Sequence, residues 1–134
     1  MSVTPHEILQ FASELQGTAT HELQFRNTIG RAYYSAYHLA EEFHNKLPSQ
    51  GKDPVASLGR HAELIYRLSN PTIPKTDPRH DASKRLGIKL QGFHRLRITA
   101  DYQLGATVTD RQSRDSVIKA VEIHNLLLGT TAAP

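Results

Sequence analysis

The stretch from Arg26 to Phe43, R-N-T-I-G-R-A-Y-Y-S-A-Y-H-L-A-E-E-F, decides how the rest of the chain is read. At about 100° per residue, Phe25, Ile29, Ala32, Ala36, Ala40, Phe43 and Leu47 share one stripe, the pattern of a helix face turned toward a core. The opposite line is polar and aromatic: Asn27, Arg31, Tyr34, His38 and Glu41. On that line Arg31 and His38 stand seven residues apart, two turns or roughly 10 Å along the axis, so a long Arg can lean toward the imidazole. An amide, a guanidinium, a phenol and an imidazole on the face away from the core point to a surface that meets a partner.

The flanking sequence supplies more helices. Thr4-Pro5-His6-Glu7 reads as a capping box with Pro at the first helical position, opening a short N-terminal helix that uses Ile8, Leu9, Ala12 and Leu15 and ends at Gly17. The second helix is expected from about Thr20 to Leu47, where Pro48 and Pro54 stop it. A third takes Ala56 to Ser69 with Leu58, Leu64, Ile65 and Leu68 inward. Asn70 to Asp81, with Pro71, Pro74 and Pro78 and no periodicity, reads as a long loop. A fourth runs from Ala82 to Leu104 on a stripe of Leu86, Leu90, Phe93, Ala100 and Leu104, with Arg97 where another apolar residue is expected. Its Lys84, Arg85, Lys89, Arg95 and Arg97 precede Asp101 without an acidic residue between Ala82 and Ala100, and Gly87 and Gly92 weaken it unless another backbone packs there. Thr109-Asp-Arg-Gln112 opens a fifth, with Val117, Ile118, Val121, His124, Leu127 and Leu128 inward and a small-residue tail after Gly129. No strand pattern and no internal repeat is found. The expected fold is all-α, an up-down four-helix bundle with an additional short N-terminal helix, in one domain spanning 1–134.

Composition bounds the function. In 134 residues, 38% hydrophobic and 22% charged content describe a folded chain with its own core. No run approaches the roughly 18 apolar residues of a membrane helix, and M-S-V-T-P-H-E lacks the regions of a signal peptide, so a cytoplasmic protein without a membrane partner is expected. Zero Cys excludes disulfides and thiolate metal sites. A net charge of +3 permits a polyanionic partner. His61 and His80 each follow an Arg without metal-ligand spacing, and phosphate-loop, G-x-S-x-G and zinc patterns are all missing. No metal and no cofactor is therefore expected.

Two stretches together, R-A-Y-Y-S-A-Y-H (Arg31 to His38) and L-R-I-T-A-D-Y (Leu96 to Tyr102), resemble the HEPN superfamily, helical bundles named for higher eukaryotes and prokaryotes nucleotide-binding. The resemblance is closest to its small prokaryotic members and covers about Leu23 to Leu128. It implies an up-down bundle that dimerises through its active-site face. It also implies membership of a toxin-antitoxin or defence system, often as a metal-independent endoribonuclease, with RNA or nucleotide as ligand and an antitoxin or nucleotidyltransferase as partner. The family motif is Arg, four to six residues, then His, usually in a late helix. Here Asp101 and Tyr102 stand where that His would follow Arg97, whereas Arg31 and His38 have the permitted spacing in an earlier helix.

Metal-free RNA cleavage uses the neighbouring 2′-hydroxyl as nucleophile and needs a base or acid near neutral pH, with a cation for the phosphorane charge. His and Arg are the side chains for those tasks. The candidate catalytic residues are Arg31, His38 and Arg97, with Asn27, Tyr34, Asp101 and Tyr102 as binding residues and a two-fold dimer doubling the set. The plainer readings stand beside these. Arg97 and Asp101 form an i,i+4 pair worth about 0.3–0.5 kcal/mol if exposed, His38 is a solvated histidine, and Tyr33, Tyr34 and Tyr37 are packing and dimer contacts. Two functions follow: an endoribonuclease, or a non-catalytic module that binds nucleotide, nucleic acid or a partner protein through the same face.

Overall fold

A computed structural model describes residues 2–131 of the chain. Among them are five helices and no strand: α1 (Pro5–Thr18), α2 (Glu22–Asn45), α3 (Arg60–Ser69), α4 (Pro78–Tyr102) and α5 (Asp110–Thr131). No helix among the described residues is long and apolar enough to cross a membrane.

α2 is the central element and touches every other helix. Its expected stripe is the one it buries: Ile29, Ala32, Ala36, Ala40, Phe43 and Leu47 are all inside, and Phe25 packs at the edge. The alanines keep that face thin, so neighbouring helices approach closely. The stripe is wider than the sequence indicated, because Tyr33 and Tyr37 are 1% and 3% exposed and join the same core. α3 packs on α4, and a Cβ added at Gly87 would lie 2.8 Å from the Ser69 backbone nitrogen, so Gly87 is the contact point between those two helices. Gly92 meets nothing comparable.

The helix starts follow their caps. Thr4 and Glu7 form the expected capping box, as do Thr109 and Gln112. α4 begins four residues earlier than Ala82, at Pro78, because Asp77 caps it by accepting from the Arg79 N–H. Pro78 is thus the first-turn proline of a helix rather than a loop residue. α3 begins only at Arg60, which leaves Leu58 off the helix and 39% exposed. Leu104, expected in the core, lies past the end of α4 and is exposed.

α5 departs furthest. Of the expected face, His124 and Leu127 are buried and Val117 packs against the core, whereas Ile118, Val121 and Leu128 are exposed; the rest of the buried face is Ser113, Ser116, Ala120 and Ile123. Small residues let α5 lie close to its neighbours, and their hydroxyls are satisfied inside: Ser116 Oγ donates to Ser113 O at 2.6 Å, and Ser113 Oγ donates to Gln16 Oε1 of α1. The helix runs on through Gly129, and the expected small-residue tail lies, from 132 on, outside the described residues. Deeper in, Ser35 Oγ of α2 donates to Pro5 O at 2.6 Å and lies 2.9 Å from His124 Nε2. A hydroxyl has one proton to give, so His124 must donate through Nε2, which ties α1, α2 and α5 at one point.

The far end of α2 is held differently. Arg26, 7% exposed, sends Nη1 to the carbonyls of Thr99, Ala100 and Gln103 at 3.0, 3.0 and 3.2 Å, and Nη2 to Ala106 O and to Glu22 Oε1 at 3.1 Å. The same Glu22 oxygen accepts from the Val108 N–H at 2.9 Å. One guanidinium therefore gathers the carbonyls at the end of α4, two of which, Thr99 O and Gln103 O, also accept the Gln103 and Ala106 N–H groups, and it complements the negative end of the helix dipole. Arg26→Ala should lower the unfolding free energy by on the order of 2 kcal/mol, since the Ala100 and Ala106 carbonyls lose their donor and Glu22 loses its cation, while Thr99 O and Gln103 O keep backbone donors. Urea denaturation would measure it, and a loss below about 0.5 kcal/mol, the usual effect of a surface substitution, would contradict this role.

Candidate functional site

The side chains that carry chemistry lie in a row of touching rings along one edge of α2. Arg31 lies over the Tyr34 ring, 5.0 Å from its centroid. Tyr34 meets His38 edge-on at 4.1 Å, and His38 meets Tyr37 at 5.4 Å. Tyr37 stacks on His61 at 4.0 Å, and His61 stacks almost parallel on His94, 5.4 Å apart and tilted by 6°. Tyr33 closes the row, 5.6 Å from both His61 and His94, with its hydroxyl 2.8 Å from His61 Nδ1. Arg97 then lies 5.8 Å from the Tyr33 centroid and 5.2 Å from that of Tyr102.

Three helices build this row, and their sequences explain how. In α2, Tyr33 and Tyr37 are one turn apart and flank the core stripe, while Tyr34 and His38 are one turn apart on the outer side. In α4, His94 follows the buried Phe93 and precedes Arg97 by three residues, so the two share a face. His61 comes from the first turn of α3. Asp101 fixes the approach of α4 to α2: it accepts from Arg97 Nε at 2.9 Å, and a Cβ at Gly30 would lie 3.1 Å from its Oδ1. The Arg97 side chain is 23% exposed. It lies over rings at the margin of the core instead of inside it, which is how a charge is accommodated on an apolar stripe.

The electrostatics favour an anion. Arg31, Arg60, Arg95 and Arg97 lie along this region against two carboxylates, Glu41 and Asp101. Arg60 Nη2 donates to Glu41 Oε2 at 3.0 Å, and His38 Nδ1 lies 3.6 Å from Glu41 Oε1. Arg31 and Arg95 make no ion pair among the described residues. Burial lowers the His61 pKa below its ordinary value, helped by repulsion between its charged form and the His94 ring, Arg97 and Arg60, and burial next to Arg97 lowers that of His94. Both imidazoles are thereby held neutral. Burial pushes the Tyr33 hydroxyl above its ordinary range, so it stays protonated. The Tyr37 hydroxyl is buried beside Arg60 and Glu41 without a well-aligned hydrogen bond to either, and burial and then Glu41 push it up.

The residues expected from sequence fall in two places. Arg31, Tyr34, His38, Arg97 and Tyr102 lie along the ring row, with Arg31 at one end and Arg97 and Tyr102 at the other. Asp101 braces Arg97. Asn27 lines a separate open pocket with His21, Leu23, Arg26 and Leu104, which Asp101 also touches, so it is apart from the imidazoles. The centre of the row was not anticipated: His61, His94 and the ring faces of Tyr33 and Tyr37. For His94 a signal existed, its i,i+3 spacing from Arg97. For His61 none did, because nothing local says that the start of α3 returns to α2. Among the described residues, no three His, Asp or Glu side chains are placed to hold one metal ion.

The depressed histidines fix a pH dependence. Below about pH 6.5 the unfolded chain takes up protons that folded His61, His94 and His124 refuse, so their contribution is fully present above that pH and is lost as the pH falls through the lower folded values. Urea unfolding should show lower stability at about pH 5.5 than at about pH 7.5, with a smaller difference in His61→Gln. Equal stability at both values would contradict the assignment. Comparison of this chain with family models, curated proteins and solved structures finds no match.

Proposed function

We propose that the chain is a HEPN-like protein of a prokaryotic toxin-antitoxin or defence system that cleaves RNA in the cytoplasm without a metal, its α2–α5 forming an up-down four-helix bundle. The observation that carries this reading is the convergence of three imidazoles, two of them held neutral, with Arg97 on one face of three helices. The R-A-Y-Y and L-R-I-T-A-D-Y stretches, which carry the family likeness, lie in α2 and α4 at that face.

In this scheme His61 donates its Nδ1–H to the Tyr33 oxygen, and its Nε2, left without a proton, takes the proton of the 2′-hydroxyl as that oxygen attacks phosphorus. The bond from phosphorus to the 5′-oxygen breaks, and His38, beside Glu41, returns a proton to that oxygen. Arg97 faces the charge that grows on the phosphorane oxygens, and its Nη groups are free for this because Asp101 engages Nε. The products are a 2′,3′-cyclic phosphate and a 5′-hydroxyl. Arg31 contacts a neighbouring phosphate. A homodimer with Tyr34 and His38 near its axis places a second set of these groups alongside the first, and an antitoxin or nucleotidyltransferase would cover the face.

A second reading is favoured by one feature, the missing His after Arg97: a non-catalytic module that binds nucleotide, nucleic acid or a partner protein there. One experiment separates the two. Wild-type protein with a chelator present should convert an RNA oligomer to cyclic-phosphate products, and Arg97→Lys and His38→Ala should each lower the rate by about 100-fold or more without unfolding the chain. RNA binding without cleavage, lost in the same variants, selects the second reading. Wild-type behaviour of both variants removes the site altogether.

A further inference from the structure

Beside the ring row, between α3 and α4, runs an open groove of about 400 Å³. That is within the range of roughly 300–1,000 Å³ that small-molecule sites occupy. Its floor is apolar, made by Ala62 and Ile65 with Leu58 at the mouth, and its rim carries Tyr66, Gln91 and Arg95. Ser69, whose hydroxyl donates to Ile65 O at 2.7 Å, also lines it, and so does His94, the same ring that stacks on His61. The groove and the row therefore share a wall one imidazole thick.

The rim groups are uncommitted. The Gln91 and Arg95 side chains make no hydrogen bond or ion pair among the described residues, and neither does the Tyr66 hydroxyl or either ring nitrogen of His94. An amide that can donate and accept, a guanidinium, a phenol and an imidazole around an apolar slot match a flat heterocycle with polar edges. They do not match an alkyl chain, which would leave four polar groups facing it. The cationic end of Arg95 and the nearby Arg97 suit a ligand that also carries an anion.

We propose that this groove is a nucleobase subsite, which seats the base of one nucleotide against His94 and Tyr66 while its phosphate lies at Arg97 and His61. Gln91 and Arg95 meet the edge of the base and set preference among bases. The proposal rests on the reading of the ring row as a phosphate site, and it adds the recognition of a nucleoside to it. No local pattern in the sequence marks the groove, because Leu58 lies off α3 and His94 meets it only through the packing of α3 on α4.

The test uses the full chain titrated with 5′-AMP, 5′-UMP, ribose 5-phosphate and inorganic phosphate, followed by imidazole and tyrosine signals in NMR. At least one mononucleotide should bind about tenfold or more tightly than ribose 5-phosphate, the usual effect of one stacked base, and should shift His94 and Tyr66. Ala62→Leu, which fills the slot, and Gln91→Ala, an exposed change that leaves the fold intact, should each weaken the mononucleotide severalfold and leave ribose 5-phosphate unchanged. Arg97→Lys should weaken both. Equal affinity for mononucleotide and ribose 5-phosphate, or indifference of the mononucleotide to both groove variants, overturns the subsite while the phosphate reading stands. Binding by none of the phosphate probes overturns the phosphate reading and the subsite with it.

Discussion

The guanidinium of Arg26, inserted into the carbonyls at the end of α4, is the contact on which the geometry of the site depends. A buried Arg needs partners for its donors, and here both Nη nitrogens find theirs on the terminus of another helix, on Ala106 O and on Glu22. Glu22 is held below the usual carboxylate range, first by the Val108 N–H and then by Arg26, so it stays charged. The pair thus joins the start of α2, the end of α4 and the turn into α5. With that end fixed, Asp101 comes to rest on Gly30 and Arg97 is directed over Tyr33. A looser terminus would leave Arg97 free to swing into solvent, where an i,i+4 pair of this kind contributes little.

The imidazoles are held by packing. His61 lies between Tyr37 and His94 and bonds Tyr33, so its ring plane is set by three neighbours on two other helices. Such a ring loses little on meeting a ligand, because its orientation is already fixed. The same packing withdraws it from water, and this burial, together with the nearby cations that repel a proton, lowers its pKa. A neutral base beside fixed positive charge is the arrangement a phosphodiester meets usefully: the cations attract it and the base remains able to accept a proton.

The sequence made the helices and one face of the site legible, because the alanine and aromatic pattern of α2 follows a 3.6-residue period and the capping boxes have local signatures. Arg31, Tyr34 and His38 could be placed on the outer side of α2 from that period alone. In α5 only part of the buried face is legible, His124 and Leu127, because Ser113, Ser116 and Ala120 share it while Ile118 and Val121 look outward, and hydropathy cannot distinguish a small buried hydroxyl from a solvated one. α4 began early because Asp77 and Pro78 form a start signal that the surrounding prolines obscured. His61 and the groove beyond His94 exist only through tertiary contact. No periodicity in α3 announces that its first turn lies against Tyr33 and Tyr37.

The most direct measurement is an NMR titration of the imidazole signals with an RNA oligomer whose central 2′-hydroxyl is replaced by hydrogen, so that it binds without being cleaved. The chain has eight His, and three of them lie in the ring row. The signals of His38, His61 and His94 should move together and saturably, and those of His21 and His80 should stay in place. Movement of all eight alike, or of His21 and His80 while the row is silent, would contradict the assignment of this face as the site.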